Sequence, residues 1–246
     1  MEGKRGKIEK ISEKLVDIGF IIYISSLVIS KAGLNIGLAF IVLGFLTDLK
    51  RNIGRIKEMS LEYKIVIVFL LIYSFYDLVT PGFIKSFSIE VGELYRILPL
   101  MIVPLYKKKY SVIRKYVEIM IAFFSLAVVY NLFDYDVSKM ERLNGFLYST
   151  TTGHISAMIL IFIFGMFLNE KNKIKKSYYL LIEILGVYML FLTATRAAIL
   201  GLLIASILLS ILKYRKKSIS IIIIILILSL IMINKVGYLN NFKISD

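Results

Sequence analysis

Cysteine is absent from the 246 residues, which excludes disulfides and thiolate metal centres. Tryptophan is absent as well, so any interfacial aromatic belt falls to tyrosine. Tyr63, Tyr76, Tyr106, Tyr130, Tyr178 and Tyr179 do sit near the ends of apolar runs. The single histidine, His154, has no partner for an HxxxH or HExxH pair, so no metal site is expected. No cofactor motif is present, and no internal repeat is visible. Acidic residues are scarce, 17 against 31 Lys plus Arg, for a net charge of +14.

Apolar residues are abundant: 58% of the chain, with a mean hydropathy of +0.79. Several apolar runs reach sixteen residues or more, which no ordinary soluble core requires. They are built from Ile, Leu, Val, Phe and Met without period-two alternation, so helices are the expected spanning structure. The expected fold is an all-α integral membrane protein with about nine transmembrane helices. The spans are placed at 15–30, 33–47, 65–79, 91–106, 116–133, 153–168, 178–192, 197–212 and 219–234. The basic start "MEGKRGKIEKISEK" precedes a run with no small-residue cleavage site, so that run reads as a retained first span.

Charge gives an independent check on this count. With the N-terminus inside, the inner segments 1–14, 48–64, 107–115, 169–177 and 213–218 carry five, five, five, four and four Lys plus Arg, 23 of the 31. The other eight fall outside, as the positive-inside rule requires. The topology is therefore expected to be N-terminus inside and C-terminus outside, in a multi-pass protein of the bacterial inner membrane. The expected organisation is one polytopic domain over residues 1–246: a basic cytoplasmic N-terminus at 1–14, an outer loop at 134–152 and an outer tail at 235–246. Basic loops facing an anionic leaflet explain the net charge, and nucleic acid is not an expected partner.

On the outer side, "TATRAAILGLLIASILL" (residues 193–209) places Arg196 in a tight turn between two apolar segments. A guanidinium there snorkels, pairs, or serves an anion, for which its planar fork is suited. The segment "RLNGFLYSTTTGH" carries Arg142 ahead of five hydroxyl residues and His154. Thr151 and Thr152 can cap the next helix, or line a polar vestibule together with His154 and Arg96. His154 is read as a structural hydrogen-bonding residue rather than a base. Arg96 lies one turn after Glu93 in a span that Pro99 and Pro104 are expected to kink. Glu183 lies deep in the seventh span, where a carboxyl group is protonated or paired.

The outer R-x-x-G-F before a polar helix start, followed by T-x-T-R-A-A-x-L, resembles the O-antigen ligase and O-antigen polymerase superfamily. The resemblance implies a fold of the C-type membrane glycosyltransferase kind. It also implies transfer of an undecaprenyl-pyrophosphate-linked glycan to a glycolipid or sugar acceptor, with Arg142 and Arg196 holding the pyrophosphate. Two features differ. The Asn-Pro-Asn type segment common in that family is missing. The family's long outer loop with its catalytic histidine also has no counterpart before Asp246, so the chain is expected to be the donor-binding portion, truncated ahead of that loop. No catalytic residue is carried over, and His154 does not match the family's histidine. A flippase or transporter of lipid-linked glycans, or a non-catalytic scaffold, are the alternative readings.

Overall fold

A computed structural model describes residues 2–61, 63–65, 68, 72, 98–99, 101–106, 108–136, 142–145 and 149–214. Most of the third span, half of the fourth, the ninth, Arg96 and the tail at 235–246 therefore lie outside the described residues. Every regular element among the described residues is helical: α1 (Glu2–Ser26), α2 (Lys31–Thr47), α3 (Leu49–Lys57), a 3-10 turn (Val103–Tyr106), α4 (Tyr110–Asp134), α5 (Ser149–Asn169), α6 (Lys173–Leu192) and α7 (Arg196–Tyr214). Tyr110–Asp134, Ser149–Asn169 and Arg196–Lys213 are long and apolar enough to cross a membrane. The bent pair Lys31–Thr47 and Leu49–Lys57 is a fourth candidate. α6 has only 16 residues after its last lysine, about 24 Å of helix, slightly short of a 30 Å hydrocarbon core.

Two compact units divide these elements. The first holds α1, α2, α3, the 3-10 turn and the start of α4 up to Tyr116; the second holds α4 from Val117 onward with α5, α6 and α7.

In the first unit α1 and α2 form a close antiparallel pair. A Cβ on Gly37 would stand 2.6 Å from the Tyr23 amide nitrogen, and one on Gly19 would stand 2.7 Å from the Gly37 carbonyl oxygen, so only glycine admits this approach. Between helices in lipid such backbone proximity supplies the packing energy that burial supplies in water. The helix expected to fill 15–30 ends at Ser26. The Ser25 hydroxyl bonds back to the Ile21 carbonyl at 2.7 Å in its last turn. Pro104, expected to kink a span, sits in the 3-10 turn.

Below that pair a polar network fixes α3. Asn52 is fully buried; its amide donates to the Phe45 carbonyl (2.9 Å) and the Tyr106 hydroxyl (3.0 Å), which also meets Ser12 at 2.9 Å. Glu9 pairs with Arg51 and Arg55, Glu13 with Arg55 at 3.5 Å, and Asp17 with Lys108 at 2.7 Å. Asp17 also accepts from the Tyr116 hydroxyl at 2.8 Å. Residues 2–14, expected only as a basic cytoplasmic segment, are thus the first half of α1. Three of that helix's four acids lie at successive four-residue steps on one face and draw cations from distant segments.

In the second unit the directions of the helices follow from their contacts. Thr195, just before α7, bonds to Ser149 at the start of α5, and Lys213 near the end of α7 bonds to Asn169 at the end of α5. α5 and α7 therefore run parallel. α4 and α6 are also parallel to each other, with Glu118 on Lys175 near their starts and Asn131 on Met189 near their ends. α6 starts with Asn172 as its cap, the side-chain oxygen accepting from Ile174 and Lys175.

Candidate functional site

One end of the second unit gathers the segments that carry Arg142 and Arg196. α6 finishes at Leu192, Thr193 to Thr195 make the turn, and Arg196 opens α7. So short a turn places Ala194 at φ 53°, the left-handed region, which costs an L-residue about 1–2 kcal/mol. The Ala194 amide closes the turn on the Phe191 carbonyl at 3.0 Å.

Hydroxyl groups then tie this turn to α5. Thr193, 1% exposed, donates to the Leu190 carbonyl at 2.7 Å and lies 3.0 Å from the Thr195 hydroxyl; Thr195, 7% exposed, donates to the Ser149 carbonyl at 3.3 Å. Gly153 fits beneath them. A Cβ there would stand 2.6 Å from the Thr195 Cβ and 2.9 Å from the Thr193 hydroxyl oxygen, with the Thr195 hydroxyl closer still.

The segment bearing Arg142 is fastened to the same frame. The Leu143 amide donates to the Leu192 carbonyl at 3.0 Å, which satisfies one of the carbonyls left over at the end of α6. Thr152, 3% exposed, donates to the Asn144 carbonyl at 2.8 Å. Gly145 follows at φ 62°, a conformation glycine adopts without strain, close to Thr152 and to the Asn131 amide of α4.

These bonds correct the capping expectation. α5 starts at Ser149, four residues earlier than the expected span at 153–168, so Thr151 and Thr152 are already inside its first turn. Thr152 serves the loop instead of its own helix. Thr151 is half-buried beside it, and His154 is exposed. The His154 Nδ1 lies 2.7 Å from the Thr150 carbonyl. A carbonyl only accepts, so Nδ1 carries the proton, and the hydrogen-bonding reading of this residue matches the geometry.

Arg142 and Arg196 are both exposed at this end. The segments that carry them share the frame through the bonds of Leu143 and of Thr195. The starts of α5 and α7 lie at this end together with the ends of α4 and α6. Two guanidiniums carried at one end offer an anion planar, multidentate donors. Asp134 and Asp136 follow α4 at the same end. Burial, and after it the neighbouring Tyr188 phenol, hold the Tyr135 hydroxyl above its ordinary value, so it remains a neutral donor at physiological pH.

Sequence reasoning did not identify Asn131, Asn144, Thr193 or Thr195 as parts of this frame. The hydroxyl content of the turn was visible, but the Ser149 carbonyl that Thr195 reaches lies 46 residues away, and no local pattern reveals that pairing. It also overlooked a cavity of about 360 Å³ in the first unit, lined by Arg51, Gly54, Arg55, Glu58, Leu105 and Tyr106. Glu9 and Glu13 already engage both of its arginines, which makes it a poorer anion site than its lining suggests. Glu183, on α6, keeps a buried carboxyl oxygen without a hydrogen-bond partner among the described residues.

No family model, curated protein or solved structure matches the chain.

Proposed function

We propose that this chain is a multi-pass protein of the bacterial cytoplasmic membrane with about nine spans, N-terminus inside and C-terminus outside. Its end with Arg142 and Arg196 faces outward and holds the pyrophosphate of an undecaprenyl-linked glycan, as the resemblance to O-antigen ligases and polymerases implies. The observation that supports this most is the fastening of both arginine-bearing segments to one frame, beside the starts of two parallel helices.

In the transfer itself, an acceptor hydroxyl oxygen bonds to the anomeric carbon as the bond from that carbon to the pyrophosphate oxygen breaks. The electron pair leaves with the pyrophosphate, and the two guanidiniums stabilise that developing charge. The acceptor proton goes to a base. His154 is not assigned that role, since its position does not match that of the histidine in the family it resembles.

Binding of undecaprenyl pyrophosphate to the purified full chain, measured by titration calorimetry, tests the proposal. Arg142→Ala and Arg196→Ala should each weaken it roughly tenfold to a hundredfold, the worth of a charged hydrogen bond. Arg→Lys at either position should recover only part of the loss, because an ammonium lacks the fork. Wild-type affinity in both alanine variants would remove the proposal. Glu183 favours a second reading, a transporter of the same lipid-linked glycan, since an unpartnered carboxyl oxygen inside a helix bundle is the kind of group that couples to a moving proton or ligand.

A further inference from the structure

α2 stops at Thr47 and α3 begins at Leu49, and the chain turns by 90° between them. α2 alone has 17 residues, about 26 Å of helix, the lower limit for crossing a bilayer core. Its outward residues Ile36, Leu43 and Leu46 are each more than half exposed, as lipid-facing positions are. The helix that follows is of a different kind.

α3 sorts its nine residues by side. Leu49, Ile53 and Ile56 recur at helical spacing and form one apolar stripe, exposed by 42%, 46% and 38%. Asn52 and Arg55 turn inward, to Tyr106 and to Glu9. Lys50 and Lys57 are exposed along the border of the stripe. Continuing the span through α3 would immerse Lys50, Arg51, Arg55 and Lys57 in hydrocarbon, which is prohibitive for four cations in nine residues. Leaving α3 in water would expose three large aliphatic side chains. A helix at right angles to a span, starting where that span ends, satisfies both halves of its surface at the headgroup layer.

We propose that α3 lies in the membrane interface where α2 ends, with Leu49, Ile53 and Ile56 in the acyl boundary and Lys50 and Lys57 on the phosphates of anionic phospholipids. The occupant is a lipid surface on three grounds: the 90° turn, the continuation of α2's exposed Leu43 and Leu46 into the stripe at Leu49, and the complementarity of lysine to anionic headgroups. The inference rests only on α2 being a span, and is independent of the glycan reading.

The absence of tryptophan makes the test direct. Ile53→Trp places a single emitter on the stripe, and Ile56→Trp places a second reporter should the first perturb packing. The full chain is reconstituted in phosphatidylcholine vesicles with brominated phospholipid, either phosphatidylglycerol or phosphatidylcholine. Blue-shifted emission, quenched best by bromine near the headgroup end of the acyl chain and better by phosphatidylglycerol, is the expected result. Adding Lys50→Gln and Lys57→Gln should lower the phosphatidylglycerol preference roughly fivefold per lysine. Emission as in water, blue-shifted emission that no lipid quenches, or quenching greatest at the bilayer centre would each overturn the proposal. These results would mean an aqueous helix, a stripe covered by protein, and a re-entrant segment respectively.

Discussion

In the first unit Glu9, Glu13 and Asp17 reach across to Arg51, Arg55 and Lys108, whereas in the second Arg142 and Arg196 stand exposed on a frame made of hydroxyl and amide bonds to carbonyls. Both units hold loops in place with polar groups, yet they do so with different chemistry. Carboxylates that position cations also occupy them, and an incoming phosphate must compete. Thr193, Thr195, Thr152 and the Leu143 amide position the second unit's segments through neutral bonds.

The polar network of the first unit is most vulnerable at Asn52. Replacing it by leucine removes donors from the Phe45 carbonyl and Tyr106 hydroxyl and an acceptor from Arg55, all around a fully buried position. A loss of about 2–3 kcal/mol is expected, read as a lowered unfolding midpoint in detergent, with pyrophosphate affinity unchanged. Gly153→Ala should cost about 1–3 kcal/mol by driving α5 off Thr193 and Thr195. Unlike Asn52→Leu, it should also weaken pyrophosphate binding, since it disturbs the frame beneath Arg196. Equal stability and affinity in that variant would show that the frame is loose.

Smaller effects sharpen the contrast. Asp17→Ala removes a carboxylate that is one-third exposed and paired with Lys108, and should cost about 1 kcal/mol, less at high salt. Salt dependence of the same kind is not expected for Thr193→Val, whose bond to Leu190 is neutral. Ala194→Gly should be nearly neutral or slightly stabilising. Relief of the left-handed strain, about 1–2 kcal/mol, outweighs the extra freedom glycine has when unfolded, about 0.4–1 kcal/mol. Melting curves of the two proteins in the same detergent would show it.

The tight turn at Thr193 to Thr195 was legible in the sequence because two apolar segments leave no room for a longer connection, and a turn of that length was found. The apolar runs at 33–47, 116–133, 178–192 and 197–212 likewise lie within helices that extend or match them. α3 was readable in principle, since Leu49, Ile53 and Ile56 recur at helical spacing, but its cations alone drew attention and the segment passed for a basic loop. What a single sequence could not give was pairing across distance. Nothing near Asp17 points to Lys108, 91 residues on, and nothing near Thr152 decides between its own helix and the Asn144 carbonyl. Such choices are settled by which segments pack together, and local propensity does not contain them.

On the proposed reading Arg142 and Arg196 act on one anion. A double-mutant cycle on undecaprenyl pyrophosphate affinity, with Arg142→Ala, Arg196→Ala and both together, tests it most directly. If one pyrophosphate spans both guanidiniums, the double variant should lose clearly less than the two single losses combined. Strictly additive losses would place the arginines on separate ligands or separate parts of one, and no loss in any variant would contradict the site altogether.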